Sequence, residues 1–126
     1  MMETALVFDR QGKTLHWHEP PGRSGGSLPD SPDLWAVIWD NRDQLGGVAH
    51  THPWKGPAAP SHTDVTTFRA IEQGLGSLLL WPIVTFTEVK YMVYNQVTGL
   101  YVLGSLQRGW DLEGLAELRE RSGHQN

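Results

Sequence analysis

"GGVAHTHPWKGPAAPSHTDVTTF", Gly46 to Phe68, is the stretch on which the fold turns. A glycine pair opens the short β-prone run "GGVAHTH", and Pro53 ends it by removing a backbone donor. After a loop, "SHTDVTTFRAIEQGLG" has helical periodicity, with Val65, Phe68, Ile71 and Leu75 on one face and Gly76 near its end. Side chains alternate along a strand, so His50 and His52 project to the same side with Cα atoms about 6–7 Å apart. Both imidazoles can then reach one ion. Asp64 lies in the first turn of the following helix, where the loop can fold it back as a third ligand. Two His and one Asp suit Zn²⁺ and leave a fourth position for water. Each fragment also has an ordinary reading. Ser61 and Asp64 have the spacing of a capping box, and exposed strand histidines are commoner than metal ligands.

Outward from this stretch, the chain reads as one domain spanning residues 1–126. "ETALVF" and "TLHWHE" form an N-terminal hairpin around the polar turn "DRQGK". "PPGRSGGSLPDSPD" is a long loop, either a surface excursion or a cover over a functional site. Ser31 can cap a helix that starts at Pro32 and runs to about Arg42, with Leu34, Val37 and Ile38 on one face. "LLLWPIVTF" has the composition of an internal strand whose start Pro82 makes irregular. "EVKYMVYNQVTGLYVLG" is a second hairpin turning near Asn95–Gly99, and "LEGLAELRER" is a short amphipathic helix. Residues 122–126 read as a frayed tail. The expected class is α+β, of α/β/α type: a mixed sheet flanked by helices.

Composition narrows the function. A formal charge of −4 provides no basic footprint for nucleic acid. No apolar run approaches the roughly 20 residues of a membrane span, and the start lacks the basic region of a signal peptide, so a cytoplasmic protein without membrane partners is expected. Absence of cysteine excludes disulfides, thiolate metal sites and thiol nucleophiles. The six tryptophans read first as core and packing residues.

Taken jointly, "HTHP", seven residues and "SHTD" match His-Ser/Thr-His-Pro-x7-Ser-x-x-Asp at all six defining positions. This resembles the signature of the JAMM (JAB/MPN) zinc metallopeptidases, and the apparent element order resembles that family from about Glu3 to Tyr101. The compact length looks like its prokaryotic or phage members. The resemblance implies a JAB/MPN-like, cytidine-deaminase-like architecture with one Zn²⁺ held by His50, His52 and Asp64. Ser61 would hydrogen-bond the oxyanion. Trp54, after the motif's proline, would line the cleft and contact substrate, or pack on its loop. The implied reaction is peptidase or isopeptidase cleavage of a protein or peptide, such as the C-terminal tail of a ubiquitin-like or sulfur-carrier protein. A phage tail-assembly peptidase and a non-catalytic MPN-fold scaffold are the alternatives. A true deaminase site would need cysteines that this chain lacks.

The family also uses an upstream Glu as general base. Glu3, which precedes "TALVF", is the first choice, and Glu19 is the rival. If Phe8 pairs with Thr14 in an unbroken hairpin, Glu3 sits opposite Glu19 and both approach one end of the sheet. A shift of one residue in register would send them to opposite faces. His16 and His18 read as hairpin-surface or cleft-wall residues, His62 as a helix-terminus surface residue, and His124 as tail.

Overall fold

The computed structural model describes residues 1–125. It is a mixed α+β fold with β1 (Ala5–Asp9), β2 (Thr14–His18), α1 (Pro32–Asp40), β3 (Leu45–Thr51), α2 (His62–Leu75), β4 (Trp81–Val84), β5 (Val89–Asn95), β6 (Leu100–Leu103) and α3 (Leu115–Arg121). The six strands form one sheet in the order β2-β1-β3-β4-β5-β6. Only β3 and β4 run parallel, and α2 is the crossover between them.

Both faces of the sheet are covered. Ala5, Val7, Val48 and Ile83 join Leu34 and Ile38 of α1 and Phe68 and Ile71 of α2 in one core. Leu6, Phe8, Ala49 and Val84 pack with Leu112 and Leu118 on the other side. Burial on both sides of the sheet explains the unbroken apolar run Ala5–Phe8 of β1. The glycine pair is forced by close approach. A Cβ at Gly47 would stand 1.8 Å from the Leu80 carbonyl oxygen, and one at Gly46 would stand 2.3 Å from that of Asp9.

The helix starts follow their sequence signals. The Ser31 hydroxyl accepts from the Leu34 amide at 3.1 Å, and Pro32 takes the first helical position. α1 ends at Asp40 rather than Arg42, where Asn41 caps it. At α2, Ser61 and Asp64 form a reciprocal capping box, with Asp64 N–H donating to Ser61 Oγ at 3.0 Å and Ser61 N–H to Asp64 Oδ2 at 2.8 Å. The Asn95–Gly99 turn closes β5 to β6, with Gly99 at φ 71°.

Three expectations need correction. Trp81 is buried, yet Trp35, Trp39 and Trp54 are exposed, because the two on α1 sit on its outer face and Trp54 lies on a loop. Ser122, expected in a frayed tail, is fully buried, since its hydroxyl bonds Leu118 O and Thr51 Oγ1; Asn126 lies outside the described residues. His124, also read as tail, packs its ring 4.8 Å from that of Phe86.

Candidate metal centre

β1 and β3 bring the site together. They pair antiparallel with Ala5 opposite His50, so alternation places Glu3 and His52 on that same face, one step along each strand. α2 then points its capped first turn at the end of β3. His50 Nε2 and His52 Nε2 lie 3.2 Å apart. Asp64 Oδ2 is 3.2 Å from the first and 3.0 Å from the second. All three side chains are largely shielded from solvent. Glu3, His50 and His52 form a buried group able to hold a metal ion, their nearest ligand atoms lying within 4.8 Å of one another.

The hydrogen-bonding capacity of this cluster is lopsided. A carboxylate oxygen only accepts, and each neutral imidazole nitrogen either donates or accepts. Three such atoms converging at 3.0–3.2 Å are better served by a cation than by their own protons. Tetrahedral zinc, with bonds of about 2.0 Å, separates its ligand atoms by about 3.3 Å. The spacing seen here is close to that edge, so the donor set fits the ion.

The two carboxylates are pushed apart in proton affinity. Burial raises the pKa of Glu3, and the nearby histidines only partly offset this. Burial would also raise Asp64, but hydrogen bonds from His50 and His52 and the Ser61 N–H hold it far below the usual carboxylate range. Burial thus pushes both carboxylates up, and only at Asp64 do the hydrogen bonds outweigh it.

Glu19 is placed elsewhere, and a bulge is the reason. Phe8 does pair with Thr14, but the register then shifts, so that Val7 faces His16 and Ala5 faces His18. Leu15 is the extra residue, and it breaks the strand parity that the sequence implied. Glu19 turns instead toward Arg23, at 3.1 Å, and Arg121. Arg121 in turn lies over the Trp17 ring on the α3 side of the sheet. Glu19 is therefore corrected from rival base to ion-pair partner.

The other expected residues fall as follows. Ser61 lines the cleft. Its oxygen is taken as acceptor by the helix cap, so its O–H proton stays free to donate. Trp54 also lines the cleft, with its ring stacked 4.8 Å from His52. His62 is exposed on α2, whereas His18 is buried and lines the cleft, its Nε2 donating to Pro29 O at 2.7 Å.

Sequence reasoning did not find what holds Glu3. Its N–H donates to Ser24 O at 2.7 Å. Arg23 Nη1 donates to Thr4 Oγ1 at 2.6 Å and reaches Glu3 O at 3.4 Å. On the other side, Thr4 N–H donates to Thr51 Oγ1 at 2.9 Å. The one available signal was a lone arginine inside a Pro-, Gly- and Ser-rich loop. That loop is accordingly a cover for the site, with Ser27 and Leu28 on the cleft wall.

Among the described residues, no helix is long and apolar enough to cross a membrane. Comparison of the sequence with protein-family models and with curated proteins finds no match.

Proposed function

We propose that this chain is a zinc-dependent metallopeptidase or isopeptidase of the JAMM (JAB/MPN) type. The observation that carries the reading is the convergence of His50 Nε2, His52 Nε2 and Asp64 Oδ2, with Glu3 beside them in one cleft. The motif spacing, the strand-end and helix-start placement of the ligands, and the α+β sheet flanked by helices support the same reading. The first three atoms have the spacing of ligands. Glu3 lies within 4.8 Å of both histidines, within reach of the same ion, and the motif resemblance assigns it to the ligand water.

His50, His52 and Asp64 would hold the zinc, which would supply an acidified water and a Lewis acid for a carbonyl. Glu3 accepts a proton as water adds to the scissile amide, then returns it to the departing amine. The free Ser61 O–H donates to the oxyanion that develops on the carbonyl, an interaction strongest in the transition state. Asp64 also keeps the helix start closed, its Oδ2 accepting the Ser61 N–H. A protein or peptide substrate, such as a ubiquitin-like or sulfur-carrier tail, follows from the motif resemblance.

The test compares Glu3→Gln with Glu19→Gln on a model Gly-Gly-linked amide, with zinc content measured in both. The reading expects one zinc per chain throughout and a loss of about 10²–10⁴ in turnover for Glu3→Gln only. Zinc-free protein after purification with metal present would sink the metal reading. Zinc without turnover on any amide would favour a scaffold that keeps the fold.

A further inference from the structure

The cleft that holds the metal-facing side chains continues between the helices and the sheet, and its whole volume, that site included, is about 480 Å³. Its inner walls are Leu34 and Ile38 of α1, Phe68 and Ile71 of α2, and Val48 and Trp81 of the sheet. The volume lies within the roughly 300–1,000 Å³ of small-molecule sites.

The chemistry of the walls restricts the occupant. Away from Glu3, His50, His52 and Asp64, the ionisable groups on the cleft are His18 and Asp30, and both are already engaged. His18 Nε2 donates to Pro29 O at 2.7 Å, while Asp30 accepts from Ser31 N at 2.9 Å and Trp35 Nε1 at 3.1 Å. A charged group buried in the inner chamber would find no partner, and that is costly. A Gly-Gly tail has no side chain to fill the chamber. An aromatic or branched aliphatic group matches both its size and its polarity.

We infer that the cavity is a subsite for a bulky apolar group attached within a few bonds of the scissile amide. The substrate class is then an apolar-substituted peptide or amide, not one defined by Gly-Gly alone. This rests on the metallohydrolase reading for its chemistry, but the cavity can be probed without metal.

Three probes separate the cases: acetamide, 3-phenylpropionamide (apolar group on the acyl side) and N-(2-phenylethyl)acetamide (apolar group on the amine side). Binding is followed by methyl NMR on metal-free and on zinc-loaded protein. At about fourfold per buried methylene, at least one phenyl probe binds tenfold or more tighter than acetamide. It shifts the methyls of Leu34, Ile38, Val48 and Ile71 in both preparations, and which probe does so identifies the side. Ile38→Trp or Ile71→Trp, either of which fills the chamber, removes the gain. Phenyl probes that bind no tighter than acetamide, or shift methyls elsewhere, overturn the inference even if neither filled variant folds. Methyl shifts in a protein that takes up no zinc would uphold the cavity and discard the metal reading.

Discussion

Thr51 and Ser122 share a hydrogen bond of 2.7 Å between their hydroxyls, on the sheet face opposite the two histidines that flank Thr51. The same Thr51 oxygen accepts the Thr4 N–H at 2.9 Å, and Met2 N–H donates to Ser122 O at 3.1 Å. Glu3 therefore sits between two anchored neighbours. A residue so near the chain start is fixed from behind, by α3 and β3, as well as from the side by Arg23.

Thr51→Val tests that anchor. The change keeps the shape but leaves the buried Thr4 N–H without a partner, which costs about 1–3 kcal/mol. Urea unfolding should show this loss, while zinc uptake is retained and turnover falls because Glu3 is loosened. Wild-type stability in the variant would refute the role given to the hydroxyl.

Zinc should stabilise the folded chain through linkage. At a free concentration a hundredfold above its Kd, the gain is about 2.7 kcal/mol, seen as a rise in Tm that a chelator reverses. His52→Ala should abolish the rise. A Tm that does not respond to zinc in the wild type would contradict the ligand set.

Gly47→Ala should fail in proportion to the backbone clash. The added Cβ would meet the Leu80 carbonyl at 1.8 Å, and β4 cannot retreat without uncoupling from β3. Overpacking costs about 1–3 kcal/mol where side chains can give way, and a backbone atom gives less. The expected result is a loss of unfolding free energy, measured by urea titration, at or above the upper end of that range. A near-neutral change would show that β3 and β4 are further apart than described.

The buried His18 makes stability depend on pH. Burial lowers its pKa, against the opposing pull of the Pro29 carbonyl and Asp30. The unfolded chain, titrating near the ordinary value of about 6.5, then binds the proton first. Stability from this group is present above that value and is lost as pH falls through it toward the lower folded value. His18→Gln keeps a donor for Pro29 O and should flatten the decline in urea midpoint from pH 7.5 to 5.5. The comparison is made on metal-free protein, where every other histidine is common to both chains. Equal slopes would exclude His18 as the cause.

What was legible in the sequence was local. Ser31 with Pro32, and Ser61 with Asp64, carry their helix starts within four residues, and the strand period alone put His50 and His52 on one face. The choice between Glu3 and Glu19 was not local. It depends on the bulge at Leu15, and the hairpin turn beside it is held from the far end of the chain. Glu113 Oε2 accepts the Thr14 N–H, and Trp110 Nε1 donates to Arg10 O. Turn chemistry in "DRQGK" carries no trace of partners a hundred residues away. The exposure of Trp35 and Trp39, by contrast, was open to local reading, since helical periodicity leaves both off the face of α1 that carries Leu34, Val37 and Ile38.

The Thr51–Ser122 bond spans far more of the chain than the histidine–aspartate contacts do. His52 and Asp64 are 12 residues apart, so the metal group closes within one strand–helix unit. Thr51 and Ser122 are 71 residues apart, and that bond forms only when α3 has docked. The seat of the proposed base therefore depends on the far end of the chain, whereas the contact between the side chains proposed to hold the metal is made over a short span.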